Sequence, residues 1–309
     1  MTGVIQAAGL TRMYGNRRGV LDLDLEVEEG EIFGFLGPNG SGKTTTIRML
    51  LGFLRPTRGA ATIFGLDAWS RAAEVHGRLA YLGSDPAYLG ELTAGQQLDY
   101  LAALRGLPAG AWRAVAERFD LDPSIAVRKL SRGNRQKVGV VATLMGDEPL
   151  LVLDEPTTGL DPLMQHEFLG AIGEARAAGR TVFLSSHNLP EVERICDRVA
   201  IIREGRLVEI STIEAMLASH SRRVSVALAT AAPPGTFDLP NVEVASGEAG
   251  REILLMVQGD INPLLRRLAT LDVRDVTITT PDIEDVFMRF YGQDAVAGRP
   301  DAVAGSPPR

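Results

Sequence analysis

Cysteine, long apolar runs and an excess of basic charge are all missing or nearly missing from this 309-residue chain. The single cysteine, Cys196, excludes an intrachain disulfide framework and fits a reducing compartment, where it is expected to be a small packed residue. Apolar runs such as Val138 to Gly146 fall short of the ~20 residues a membrane-spanning helix needs, so any membrane role is expected to come through a partner. The balance of 32 basic against 39 acidic residues, net −7, argues against a general nucleic-acid binder, since phosphate neutralisation drives such binding. Met1 to Leu10 shows no basic segment leading into an apolar core, so no secretory signal is expected. The sequon Asn39-Gly40-Ser41 is accordingly read as unglycosylated. The length exceeds one ordinary domain, which favours a large domain plus a smaller one.

What is present centres on Gly37-Pro38-Asn39-Gly40-Ser41-Gly42-Lys43-Thr44, the G-x-x-x-x-G-K-[ST] pattern that cradles nucleotide phosphates. Upstream, Ile32-Phe33-Gly34-Phe35-Leu36 reads as a buried parallel strand. Downstream, Ile47, Leu50, Leu51 and Leu54 fall on one face of a helix. In this strand, loop and helix, main-chain N–H groups from the loop through Thr45 would point at the phosphates, and the helix dipole would favour their charge. Lys43 would supply a cation for the β- and γ-phosphates of the nucleotide and Thr44 a hydroxyl for Mg²⁺.

Leu21, Leu23, Leu25 and Val27 alternate with acidic residues, the mark of a strand with one wet face. A further strand is expected over Ala61 to Phe64. Residues from about 68 to 146 read as a helical insert, with Leu98, Leu101, Ala102 and Leu104, then Trp112, Val115, Ala116 and Phe119, on amphipathic helices. Strand patterns return at Leu150 to Leu153, Thr181 to Leu184 and Val199 to Ile202, with a helix around Glu167 to Ala178. Alternating strand and helix predicts a parallel sheet with sites at the carboxyl ends of its strands. Residues 219–292 are expected to form a small α+β domain: Val224, Val226 and Leu228 alternate, Ile253 to Val257 is apolar, and Pro263 to Leu271 is helical. A strand over Val276 to Thr279 and a final helix over Ile283 to Tyr291 complete it. The remainder, 293–309, has a composition expected to stay mobile.

Asp154 and Glu155 end an apolar strand. Asp154 is expected to hold Mg²⁺, and Glu155 to polarise a water aimed at the γ-phosphate. Thr181 to Leu184 delivers Ser185-Ser186-His187 at another carboxyl end, where His187 can reach the γ-phosphate. His76, His166 and His220 have no such setting and are expected to be surface or packing residues. Leu130-Ser131-Arg132-Gly133-Asn134-Arg135-Gln136 opens a further helix, with Ser131 as its cap and N–H groups left open by Gly133. This second anion site needs a phosphate loop from another subunit, because the chain has only one.

The order of phosphate loop, Leu-Ser-x-Gly-x-x-Gln, apolar-Asp-Glu-Pro, Thr-Gly-Leu-Asp and Ser-Ser-His resembles the ATP-binding subunits of ABC transporters over about residues 4 to 217. Ser131 to Lys137, Asp161-Pro162-Leu163-Met164-Gln165 and Pro281 to Phe287 further resemble the bacterial exporter branch that includes daunorubicin-type resistance subunits. The resemblance implies an α/β P-loop cassette over residues 1–218, with a parallel core, an antiparallel β edge and a helical subdomain. It also implies a head-to-tail dimer, expected as a homodimer of this chain, docked on a separate transmembrane permease at the cytoplasmic face of the membrane. In that frame Tyr14 stacks on adenine, Ser131 and Gly133 touch the partner's ATP, Asp161 bridges the two sites, and His187 contacts the γ-phosphate.

Two departures stand out. Arg132 and Asn134 replace the flanking residues of the usual Leu-Ser-Gly-Gly-Gln, and Ser84 stands where the family carries a glutamine after its strand, with Gln96 and Gln97 out of register. Asp85, or a water held by Ser84, is expected to take over the sensing role of that glutamine. The rival readings are a soluble ABC-type ATPase acting on nucleic acid or ribosomes, and an importer subunit with a regulatory C-terminal domain.

Overall fold

The structure is a computed structural model that describes residues 3–15, 17–218, 221–247, 250–279, 283, 284 and 287. It divides into two compact units, one ending at Thr212 and the other beginning at Ile213. In the first unit, β1 (Ile5–Tyr14) and β2 (Arg17–Val27) make an antiparallel hairpin, followed by β3 (Ile32–Leu36) and α1 (Lys43–Leu50). Strands β4 (Arg58–Ile63) and β5 (Leu66–Asp67) return to β1, completing an antiparallel sheet of order β2-β1-β4-β5. The chain continues through α2 (Ala72–His76), β6 (Leu79–Leu82), α3 (Ala94–Leu104), α4 (Arg113–Arg118) and α5 (Arg132–Leu144). Then come β7 (Leu150–Asp154), α6 (Pro162–Ala177), β8 (Thr181–Ser186), α7 (Leu189–Ile195), β9 (Arg198–Arg203) and β10 (Arg206–Thr212).

The second sheet runs β10-β9-β3-β8-β7-β6, parallel except for β10. Strands β3, β7 and β8 are buried along their whole length, which is why each carries a continuous apolar run, followed in β7 and β8 by buried polar residues at the carboxyl end. Phe183 lies against Phe33 at a centroid separation of 5.9 Å and against Phe35 at 5.5 Å, locking β8 to β3. Each such fully buried side chain contributes ~1.5–3 kcal/mol of apolar burial. Register then places the chemistry: Leu36 faces Ser186 and Asp154 faces Ser185, so the phosphate loop, Glu155 and His187 leave three adjacent strands at one level.

Helix α1 stops at Leu50 rather than running to Leu54. Gly52 adopts φ +68°, its N–H bonds the Met49 carbonyl, and the Phe53 N–H bonds the Arg48 carbonyl, the paired bonds of a glycine-terminated helix end. The expected insert over 68–146 is not wholly helical either. It contains β6, which pairs with β7 in the main sheet, so a core strand separates the short α2 from the helices α3, α4 and α5. Helix α6 starts at Pro162, ahead of the expected Glu167, because the Asp161 carboxylate caps it by accepting the Met164 N–H at 3.0 Å.

The second unit holds α8 (Ile213–Ala218), β11 (Arg222–Leu228), β12 (Val242–Ser246), β13 (Glu252–Val257), α9 (Asn262–Leu268) and β14 (Val273–Thr279). Its antiparallel sheet, β12-β13-β11-β14, buries Val224, Val226, Ile253, Leu255 and Val257 together with Leu264 and Leu268 of α9. Strand β12 is an addition to the elements read from the sequence. His220, the tail 293–309 and most of the expected final helix lie outside the described residues; of that helix only Ile283, Glu284 and Phe287 are described.

Candidate functional site

Beyond β3 the chain turns through the glycine-rich loop so tightly that side chains have no room. A Cβ on Gly37 would lie 2.4 Å from Ser41 Oγ and 2.5 Å from the Ile202 carbonyl oxygen. Gly42 takes φ +116° at the N-cap of α1 and offers no side chain to cap it, so the N–H groups of the first turn keep their capacity for an anion. Tyr14, Gly19, Pro38, Asn39, Gly40, Gly42, Lys43, Thr44, Thr45, Ser84 and Glu155 line one cleft over this helix end. Gly37 and Ser41 sit buried beneath it as framework.

Lys43 is buried, with 5 % of its side chain exposed. Its Nζ donates to the carbonyls of Gly37 at 2.5 Å and Pro38 at 3.3 Å and stands 3.0 Å from Glu155 Oε1. The other carboxylate oxygen, Glu155 Oε2, lies 2.6 Å from His187 Nδ1. One carboxylate therefore bridges the lysine of the phosphate loop and the histidine after β8. Glu155 is in the left-handed region at φ +52°, an uncommon conformation for a residue with a side chain. Its N–H is shared between the Ser185 carbonyl at 3.1 Å and Ser185 Oγ at 3.2 Å, which holds the turn in place.

Asp154 is fully buried one residue earlier. Its Oδ1 accepts the Ser185 hydroxyl at 2.6 Å, whereas Oδ2 is buried without a hydrogen-bond partner. A buried, half-satisfied carboxylate beside a threonine-bearing loop suits a divalent cation, because the cation supplies the partner that Oδ2 lacks. Neighbouring Tyr81 has its phenol pushed up to about 12, first by burial and then by the Asp154 charge, so it stays protonated.

The second expected anion site is built separately. Ser131 caps α5 by accepting the Asn134 N–H at 3.2 Å. A Cβ on Gly133 would come within 2.6 Å of the Gly159 carbonyl oxygen, and Gln136 Nε2 donates to the Pro156 carbonyl at 2.8 Å. The start of α5 is thus packed onto the loop that follows Glu155. Thr157 of that loop donates its hydroxyl to buried Glu191 on α7 at 2.8 Å, and Glu191 has its carboxyl raised, chiefly by burial. Asp161, Ser131 and Gly133 do not line the phosphate-loop cleft, whose lining comes from other elements.

The structure brings Ser84, and not Asp85, to the cleft. Gln96 completes the capping box of α3 with Thr93, and Gln97 accepts the Leu89 N–H, so both glutamines are occupied elsewhere. His76 bonds the Leu51 carbonyl and His166 faces Arg194, ordinary packing roles. Buried Cys196 has its thiol pushed up by burial and packs against Gly34. Gly19 and Glu191 belong to the site's surroundings without a sequence signal that singles them out, since Gly19 matters through the hairpin bulge it forms and Glu191 through Thr157, 34 residues away.

Residues 20–158 match the ABC transporter family. The chain is 34 % identical to the bacitracin transport ATP-binding protein BcrA of Bacillus licheniformis, over 94 % of this chain and 98 % of that one. It is 33 % identical to the daunorubicin resistance ATP-binding protein DrrA3 of Streptomyces coeruleorubidus, covering 94 % and 96 %. To the Nod factor export ATP-binding protein I of Burkholderia orbicola it is 30 % identical, covering 94 % and 97 %. Among solved structures, an ATP-binding subunit of an ABC transporter superposes with a TM-score of 0.65 at 30 % identity, over 69 % of this chain and 91 % of that one. A dimeric bacterial ABC transporter cassette shares the fold at 0.63 and 20 % identity, over 68 % and 98 %. Near-complete coverage at this identity, on a phosphate loop with an acidic pair and a histidine at neighbouring strand ends, makes the chain a member of the ABC transporter family, as one of its ATP-binding, ATP-hydrolysing subunits.

Proposed function

We propose that this chain hydrolyses ATP in sites shared between two head-to-tail copies, and that the cycle powers export through a separate membrane-spanning permease at the cytoplasmic face of the membrane. The observation that carries the reading is Glu155, which lines the phosphate-loop cleft and is held between Lys43 and His187. Export is supported by the relatives, named for bacitracin transport, daunorubicin resistance and Nod factor export. No helix among the described residues is long and apolar enough to cross a membrane.

The chemistry follows from the side chains. A triphosphate entering the cleft offers Lys43 a more highly charged anion than Glu155, drawing Nζ from the carboxylate to the β- and γ-phosphates. His187 keeps its bond to Oε2 and fixes the orientation of the carboxylate, which then accepts the proton of a water attacking the γ-phosphorus. Mg²⁺ held by Thr44 and Asp154 would offset phosphate charge. Main-chain N–H groups from Gly40 to Thr45 bind the phosphates, Tyr14 carries the base, and Ser131 with Gly133 closes the site of the other copy. Asp161, at the loop packed against α5, lies between the two sites in such a dimer.

Glu155→Gln tests the reading. It keeps the side chain's size and removes the base, so phosphate release should fall by ~10²-fold or more while ATP stays bound. Unchanged phosphate release in permease-containing membranes would remove Glu155 from the chemistry.

A further inference from the structure

Tyr14 ends β1 at the tip of the first hairpin and is 46 % exposed, so core packing does not fix its ring. Two neighbours do. Arg12, two residues back and on the same side of the strand, places its guanidinium carbon 5.2 Å from the ring centroid. That guanidinium is anchored: Nη1 donates to the Arg55 carbonyl at 2.9 Å, and Nε is buried without a hydrogen-bond acceptor. The electron-rich ring face is then what offsets a partly desolvated charge. On the paired strand the register slips between Arg12↔Val20 and Met13↔Arg18, which makes Gly19 the bulged residue. A Cβ there would lie 3.0 Å from the Tyr14 ring and 2.6 Å from the Arg12 carbonyl oxygen, so the bare α-carbon of Gly19 is what lets the ring settle against the hairpin.

We propose that Arg12 is a positioning residue for the nucleotide base: tied to the Arg55 carbonyl, its guanidinium holds one face of Tyr14 and leaves the other for adenine. The inference rests on the reading of Tyr14 as the base platform. Its physical content goes beyond steric support. A cation on one face draws π-density away from the opposite face, which then stacks better on an electron-rich purine. The phosphates are not involved, and this separates the role of Arg12 from a general contribution to the cleft.

The test compares two probes on the full chain by calorimetric titration: ATP, and inorganic tripolyphosphate, which has no base. Tyr14→Ala should weaken ATP by roughly tenfold or more and leave tripolyphosphate unchanged. Arg12→Met keeps an apolar stem beside the ring and removes the charge; Arg12→Ala removes both. Each should weaken ATP by roughly two- to fivefold, again without affecting tripolyphosphate. Added to Tyr14→Ala, Arg12→Met should cause no further loss. The proposal is overturned if the Arg12 variants weaken both probes equally, if they leave ATP binding at the parental level, or if their effect persists without the Tyr14 ring. Should Tyr14→Ala itself fail to separate ATP from tripolyphosphate, the base platform falls and the proposal with it. Should Tyr14→Ala separate them and Arg12→Met not, the platform stands and only the role of Arg12 falls.

Discussion

The unit ending at Thr212 buries Lys43, Gln136, Asp154, Ser185 and Glu191, whereas the unit from Ile213 buries Val224, Val226, Phe237, Leu255, Val257 and Leu264 and, among the described residues, no polar side chain. Burying a charge is costly unless a partner compensates it, so a fold keeps such groups where they serve something other than stability. In the first unit Lys43, Asp154 and Ser185 meet at one strand-end level, where Asp154 Oδ2 is buried without a partner and Glu155 adopts a left-handed backbone. The second unit shows the opposite economy, with an alternating sheet and one helix closing an aliphatic core. Among the described residues, buried polar side chains are thus confined to the first unit, while both units carry an apolar core.

The contrast is sharpest where one substitution removes function without touching the core. Lys43→Ala should weaken ATP binding by ~10²-fold or more, because charged hydrogen bonds to phosphate contribute ~1.5–3 kcal/mol each and Lys43 supplies several. Equilibrium titration with labelled ATP measures it; parental affinity would break the comparison. In the second unit the effects should reverse. Leu255→Ala, at a fully buried site, should cost about 2–5 kcal/mol of stability in denaturant unfolding. ATP affinity should stay at the parental value. A matching loss of ATP affinity in the folded variant would show that the aliphatic unit feeds into the site.

A smaller effect is expected at the cleft wall. Ser84 reaches the cleft and Asp85 does not. Ser84→Ala should therefore reduce substrate stimulation of ATPase activity in the reconstituted complex by roughly two- to fivefold, about one neutral hydrogen bond, with Asp85→Ala near parental. The reverse order would assign the sensing role to Asp85.

The smallest effect concerns Glu191. Its carboxyl is raised above the ordinary value of 4.5, chiefly by burial, so the folded state prefers the neutral acid. The stability this provides is present below pH 4.5 and is lost as pH rises through the folded value. Glu191→Gln keeps an acceptor for the Thr157 hydroxyl without the charge. Its melting temperature should equal the parent's in acid and exceed it by a small margin at neutral pH, and a gap of opposite sign would contradict the burial argument.

Much of the site was legible because its chemistry is local in sequence. The phosphate loop, Asp154 and Glu155 at the end of an apolar run, and His187 after another are each announced by a strand pattern ending in polar residues. The core strands were legible for the same reason, since burial on both faces leaves an unbroken apolar run. Less local features stayed hidden. Strand β6 lies inside a stretch dominated by helical spacing and becomes a strand only by pairing with β7. Strand β1 is interrupted by bulges that break its alternation. The packing of Gly133 on Gly159 and the Thr157–Glu191 bond join residues 26 and 34 positions apart, beyond the reach of any local pattern.

The central claim is that each ATP site combines the phosphate loop of one copy with the Ser131 helix end of another. Mixing two defective chains tests it, each carrying Glu155→Gln to stop hydrolysis: one with Lys43→Ala, the other with Ser131→Arg. Neither chain alone should trap ATP, because every site in its homodimer is damaged. The mixed dimer should trap one ATP, since one of its sites pairs the intact loop of the second chain with the intact helix end of the first. Retention of labelled ATP on gel filtration by the mixture alone is the predicted result; a mixture as empty as its components would contradict the shared site.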